Sequence, residues 1–525
     1  MVIIEMCIRD RLTALGGDYR KARLSCQEYF ERLNQVPEKW GKPMQALLGL
    51  IEAQMAFETP AIGGKDSMSG TFNQIHVPPT LITFAVAAEK ADHIVSTEFK
   101  QAGSKIYFVK HPMNENGSAN YEALKKNFTK VYDLISEHQV SAACTIKVGG
   151  IAEALCKMSF GNKLGICVKS DEALFDLNIG GMLIETSTEI HEENFIYLGT
   201  VTEQPTLQIN ETSLTIEEAI EAWESRYKKL YPIIVDEDKT RFNTPVYEAK
   251  EIKKCTNPTD HVKVIIPVFP GSNCEYDTKQ AFERAGAEVE IVVFKNMNVQ
   301  AIEESLNELS DKLSNAQILA LGGGFSSGDE PDGSGKFIAN VLSNEKIRKA
   351  IDDLLARDGL ILGICNGFQA LIKSGYLPYG DITKLNVASP TLFRNNINRH
   401  VSKIACTKVT SNQSPWLSSF KVNELHSIAF SHGEGKFVVS DELAEELFAN
   451  GQVATQYTDL DGQTTMNGLY NINGSSFAIE GITSADGKIF GKMGHSERYE
   501  EGLFQNISGN KHQDIFTNGV NYFKK

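Results

Sequence analysis

No stretch of this chain approaches the roughly 20 apolar residues that a membrane-crossing helix needs. Its opening residues, MVIIEMCIRDR, hold no apolar run long enough for a secretory signal. None of the nine cysteines forms a C-x-x-C pair. Scattered and odd in number, they point to free thiols in a reducing cytoplasm rather than to a disulfide framework or a zinc site. Positive charge is also in deficit. Lys and Arg total 52 against 67 Asp and Glu, a net charge of −15, so neither nucleic acid nor an anionic membrane is expected as a partner. Repeats and low-complexity tracts are missing too. What remains is 525 residues, 42% of them hydrophobic and 23% charged, the composition of a globular chain too long for one core.

The patterning divides the chain in three. Residues 1–205 mix strand-like runs (PTLITFAVAA at 79–88, KIYFVKH at 105–111, KLGICVK at 163–169) with a helical stretch near Tyr121–His138. Residues 206–260 turn polar and lose any sustained apolar period. They read as a linker with one helix, Ile216 to Leu230. From 261 to 525 the order becomes regular. Strands are expected at 262–269, 288–294, 317–322 and 360–364, with helices near 277–285, 299–313 and 337–356. Such alternation predicts βαβ units and an α/β fold with a doubly wound, mostly parallel sheet.

The sharpest local signal is GLILGICNGFQALI at 359–372. An apolar strand runs through Gly363-Ile364-Cys365-Asn366-Gly367 directly into a helix, the cysteine form of a nucleophile elbow. A thiol there meets a helix N-terminus, whose N–H groups and dipole favour the thiolate. The Asn366 N–H is one candidate oxyanion donor, and Gly323-Gly324, after a predicted strand, could supply the second. Two histidines head an H-x-E triplet, His432-Gly433-Glu434 and His495-Ser496-Glu497. In extended backbone residues i and i+2 face the same way, so either triplet could furnish a base and its orienting carboxylate. Spacing does not choose between them.

Long motifs then carry a resemblance. PGSNCEYDT (270–278), GGGFSSGDEPDGSGK (322–336), LGICNGFQALIKSGYLP (362–378), SHGEGKF (431–437) and NINGSSFAIEGITSADGKIFGKMGHSER (471–498) resemble the class I glutamine amidotransferase domain of the phosphoribosylformylglycinamidine synthase family. That resemblance implies a flavodoxin-like fold and a Cys-His-Glu triad at Cys365, His495 and Glu497. It also implies oxyanion or substrate contacts at Gly323, Gly324, Asn366, Gln369 and His432. The expected reaction is hydrolysis of glutamine through a thioester, with ammonia passed to a synthetase that uses ATP and Mg²⁺ on formylglycinamide ribonucleotide.

LGGDYRKARLSCQEYFERL (15–33), ETPAIGGKDSMSGTF (58–72) and GGIAEALCKMSFGNKLG (149–165) resemble the end of the synthetase portion of the same enzymes, a partial domain similar to aminoimidazole-ribonucleotide synthase. There Gly63-Gly64-Lys65-Asp66-Ser67 reads as a tight turn followed by a cation and a hydroxyl, a candidate phosphate contact at Gly64, Lys65, Asp66 and Ser67. Where many relatives carry an Asp-rich metal-binding segment, this chain has Cys144-Thr145-Ile146-Lys147-Val148-Gly149-Gly150, so no metal ligand is expected. The resemblance begins well inside the synthetase half, so the missing synthetase segments are expected as a partner, from a longer enzyme or a split one. The competing readings are a cysteine hydrolase of another amide, and a non-catalytic docking fragment.

Overall fold

A computed structural model describes residues 10–235, 238–327 and 333–524. It divides into two compact units, Met1–Lys229 and Leu230–Lys525, both built of α-helices and mixed β-sheets. Among the described residues no helix is long and apolar enough to cross a membrane.

The first unit holds a three-stranded sheet, with Arg23–Tyr29 between Ala61–Ser67 and Thr80–Val86, and a separate seven-stranded sheet. The helix Tyr121–Ser136 forms because Leu124, Phe128, Val131 and Ile135 recur at three- and four-residue spacing and bury one face. Asn120 starts it by accepting a hydrogen bond from the Ala123 N–H. Residues 206–229, read from sequence as the start of a linker, belong to this unit. Thr206–Ile209 joins the seven-stranded sheet and pairs with Thr212–Thr215. A capping box between Thr215 and Glu218 then opens the helix Ile216–Lys228. Only Leu207 and Ile209 of the first of these strands are buried, so a half-exposed hairpin had the polar look of a connector.

In the second unit the sequence pattern becomes a parallel sheet. Its strands are β1 (Lys263–Val268), β2 (Glu288–Val293), β3 (Ile318–Leu321), β4 (Leu360–Ile364) and β5 (Ile489–Lys492). They lie in the order β2-β1-β3-β4-β5, every neighbouring pair parallel. All residues of β3, β4 and β5 are buried, which is why their sequences run apolar instead of alternating. The intervening helices are α1 (Glu275–Arg284), α2 (Val299–Ser314), α3 (Lys336–Leu342), α4 (Glu345–Ala356) and α5 (Asn366–Ser374). Beyond β5 the sheet turns antiparallel through Ile479–Thr483, Val453–Thr458 and the hairpin Val401–Val409 with Leu425–His432. Three chain segments thus leave the carboxyl ends of adjacent parallel strands together: Gly322–Gly324 after β3, Cys365 after β4, and His495 just past β5. Open α/β sheets build their sites at that edge.

Candidate active site

Cys365 occupies the turn between β4 and α5 with φ 53° and ψ −104°. A non-glycine residue held there costs on the order of 1–3 kcal/mol and persists only when its surroundings enforce it. They do so from two sides. The Cys365 N–H donates to the Lys492 carbonyl at 2.9 Å, and its own carbonyl accepts from the Gln369 N–H at 3.0 Å. Close packing fixes the flanking glycines. A Cβ at Gly363 would lie 2.5 Å from Leu371 Cδ1, and one at Gly367 would lie 2.1 Å from the Leu321 carbonyl oxygen. The thiol faces the Ser431 carbonyl at 3.8 Å.

His495 and Glu497 are both buried, and the imidazole Nδ1 lies 2.6 Å from Glu497 Oε1. Extended alternation does not bring them together. Ser496–Arg498 form a single 3₁₀ turn, and that turn folds the carboxylate back onto the ring. Burial opposes charge on His495. The Glu497 carboxylate, with the Cys274 and Cys365 thiols, outweighs it and raises the imidazole well above its ordinary value. Burial likewise works against charge on Glu497, but His495 holds its carboxyl below the usual range. The other ring nitrogen, Nε2, has no hydrogen-bond partner among the described residues. Gly323 lies against His495, Cys274 and Cys365. A Cβ there would stand 2.9 Å from His495 Cε1, 3.1 Å from Cys274 Sγ and 3.5 Å from Cys365 Cβ.

The second H-x-E triplet is wired differently. His432 Nδ1 pairs with Asn395 Oδ1 at 3.0 Å, while Glu434 Oε2 accepts from the Ser334 N–H at 3.0 Å. Burial, reinforced by His495 and His400, pushes His432 down to about 3, so this ring is neutral at physiological pH. Its Nε2 has no hydrogen-bond partner among the described residues.

Cys365, Gly324, Gln369 and His432 line a cavity of about 450 Å³, with Glu434 and Arg394 among the other walls. Gly324 sits at φ 135° in an isolated antiparallel bridge with Ser272. The hydrogen bonds beside that bridge belong to its neighbours, from the Phe325 N–H to the Gly271 carbonyl and from the Asn273 N–H to the Gly323 carbonyl. In such a pair the N–H of Gly324 itself points away from the partner segment. Asn366 Oδ1 accepts from the Ser326 N–H at 3.2 Å, and its amide donates to Gln369 Oε1 at 2.8 Å. Gln369 in turn donates to the Glu434 carbonyl. These two amides therefore tie the glycine loop, α5 and the 434 strand into one wall.

Sequence reasoning passed over Cys274 and Arg394 as site residues, and weighed Glu434 only as a carboxylate orienting His432. Cys274 lies inside the motif PGSNCEYDT, yet no spacing marks it as part of the surroundings of the cavity.

In the first unit the expectation of a tight turn is corrected. Gly64, Lys65, Asp66 and Ser67 lie in the strand Ala61–Ser67, paired in parallel with Cys26–Tyr29. Extended backbone points successive N–H groups to opposite sides, so it cannot converge them on a phosphate. Gly64 is needed for strand packing, since a Cβ would lie 2.6 Å from the Cys26 carbonyl oxygen, and a Cβ at Gly63 would meet nothing within 4 Å. Lys65 and Asp66 are exposed and Ser67 is half-buried along that strand.

Comparison with known proteins bears on the second unit. Residues 261–523 match the CobB/CobQ-like glutamine amidotransferase domain. Phosphoribosylformylglycinamidine synthase subunit PurQ of Sulfurimonas denitrificans is 33% identical over 250 residues, covering 48% of this chain and 96% of that protein. The PurQ subunit of Dehalococcoides mccartyi is 34% identical over 279 residues, covering 50% and 98%. Among solved structures, PurLQS from Thermotoga maritima aligns with 50% of this chain and 100% of its own at 28% identity and a TM-score of 0.36.

Proposed function

Because the chain belongs to the CobB/CobQ-like glutamine amidotransferase family, we propose that Cys365 is the nucleophile that takes ammonia from glutamine. The chain has the glutamine-hydrolysing role of phosphoribosylformylglycinamidine synthase in purine biosynthesis. The finer assignment is that its second unit is a flavodoxin-like class I glutaminase. One observation carries the residue roles: a strained thiol at the wall of a cavity, with a buried, carboxylate-held imidazole directly behind Gly323.

The steps follow from that arrangement. The Glu497 carboxylate accepts a hydrogen bond from the Nδ1–H of His495, which leaves Nε2 to exchange a proton with Cys365. The thiolate attacks the side-chain amide carbon of glutamine, and the oxyanion develops toward the N–H groups of Asn366 and Gly324. Collapse expels ammonia as the imidazolium donates its proton, leaving a γ-glutamyl thioester on Cys365. Water, deprotonated by His495, then releases glutamate. Glu434 supplies negative charge and Arg394 positive charge in the cavity wall, matching the α-ammonium and α-carboxylate of the substrate. Neutral His432 shapes the pocket floor and takes no proton. In the full enzyme, the synthetase segments would activate formylglycinamide ribonucleotide with ATP and Mg²⁺, and the first unit would be part of that assembly.

The test uses the chain together with an intact synthetase portion, ATP and formylglycinamide ribonucleotide. Cys365→Ser should abolish glutamine-dependent product formation and leave ammonia-dependent formation intact. Retention of glutamine-dependent activity by that variant would refute the assignment. Glutamine should also protect Cys365 from alkylation by a glutamine-like electrophile, and absence of protection would favour a hydrolase of another amide.

A further inference from the structure

The reaction leaves one buried group beside the dyad unused. Cys274, the residue that precedes α1, has its Sγ 4.0 Å from His495 Nδ1. Its thiol donates to Asn273 Oδ1 at 3.2 Å, and Arg498 Nη2 donates to the sulfur at 3.4 Å. One ligand atom each from Cys274, His495 and Glu497 lies within 4.8 Å of the others, the one such cluster among the described residues. Glu497 Oε2 is buried with no hydrogen-bond partner among the described residues.

We propose that Cys274, His495 and Glu497 form an inhibitory site for a thiophilic divalent cation of the zinc class. Thiolate, imidazole and carboxylate are the donor types zinc accepts, with bonds of about 2.3 Å to sulfur and about 2.0–2.2 Å to nitrogen or oxygen. Tetrahedral geometry at those lengths sets S···N near about 3.5 Å and N···O near about 3.4 Å. From 4.0 Å and 2.6 Å, each pair therefore moves by less than an ångström. Arg498 is only partly buried, so its guanidinium can release the sulfur and turn to solvent, and water fills the fourth position.

The proton balance gives the consequence. The cation takes the Nδ1 lone pair, so the ring's single proton moves from Nδ1 to Nε2, while the Cys274 thiol proton goes to solvent. The ring, metallated at Nδ1 and protonated at Nε2, cannot accept a proton from Cys365. The nucleophile stays a thiol while the cation is bound. Binding itself is independent of the substrate; only the inhibition rests on the glutaminase reading.

Cobalt(II) serves as the direct probe on the full chain, since thiolate ligation gives a near-ultraviolet charge-transfer band. The wild type and Cys365→Ser should each take up one equivalent with that band, and Cys274→Ser should lose it. A band that survives Cys274→Ser, or that disappears in Cys365→Ser alone, overturns the proposal. Glutamine hydrolysis by the wild type and by Cys274→Ser is then measured, each against its own metal-free rate. The half-inhibiting Zn²⁺ concentration should rise at least tenfold in Cys274→Ser, and an unchanged value also overturns the proposal. If circular dichroism shows that Cys274→Ser does not fold, Cys274→Ala takes its place. The wild type gives an independent readout, because Zn²⁺ calorimetry in buffers of different ionisation enthalpy must show proton release, and none would count against the site. Cobalt binding that needs Cys274, in a chain that hydrolyses no glutamine under any condition, would support the metal site and refute the glutaminase reading.

Discussion

Adding one methyl group at Gly323 perturbs the site where it is tightest. Gly323 does not adopt a positive φ, so alanine can take the same backbone conformation and the fold should survive. The new Cβ would stand 2.9 Å from His495 Cε1 and 3.1 Å from Cys274 Sγ, against an ordinary contact of 3.4–4 Å. The imidazole must therefore shift away from the new Cβ by about 0.5 Å or more to restore van der Waals distance. Displacing a catalytic group by 1 Å costs about 10²-fold, so Gly323→Ala should react about 10–10²-fold more slowly. The assay is pseudo-first-order alkylation of Cys365 by a glutamine-like diazoketone, which reads the thiol and imidazole without the rest of the enzyme. Gly63→Ala is the control, since a Cβ there meets nothing within 4 Å. Alkylation of Gly323→Ala at the wild-type rate, with an unchanged melting temperature, would refute the placement of His495 against Cys365.

The remaining expectations concern stability. For Glu497→Gln the sign follows from the two shifts. His495 is raised above 6.5, so its contribution is complete below that pH and fades as pH rises through the raised value; Glu497 is lowered below 4.5, so its contribution is complete above that pH and fades as pH falls. The melting-temperature deficit of Glu497→Gln should therefore be largest between about 4.5 and 6.5 and shrink on both sides, and a deficit independent of pH would contradict the pairing. Lys492 is fully buried, donates to Ser496 Oγ at 2.8 Å and also to Gln513, and lies 4.0 Å from Glu480. Lys492→Met should cost about 3–5 kcal/mol in denaturant unfolding by leaving Glu480 buried without its cation. Trp416 is completely buried against Phe282, and Trp416→Ala should cost about 3–5 kcal/mol by the same measurement.

Much of the second unit was legible because its signals are local. The apolar runs at 262–269, 317–322 and 360–364 became β1, β3 and β4, since strands covered on both faces need no polar alternation. The elbow was legible for the same reason, as the strand, the two glycines and the helix are contiguous. The first unit was less so. A half-exposed hairpin at 206–215 looked like linker, and Gly64–Ser67 looked like a turn because glycine pairs are common in turns. Here Gly64 is small so that two strands can approach.

The sequence by itself determined the parallel strands of the second unit, the nucleophile's turn and the two rival H-x-E triplets, because each depends on residues a few positions apart. Only the tertiary structure decided between the triplets' wiring. Glu497 bends back to His495 through one 3₁₀ turn, while Glu434 is drawn off to the Ser334 N–H and His432 to Asn395. It also decided that Gln369 braces a wall and that Cys274 stands beside the imidazole. The physical reason is the same in each case. Sheet order brings the ends of β3, β4 and β5 to one edge, and hydrogen-bond partners there are separated in the chain by distances over which no sequence period carries information.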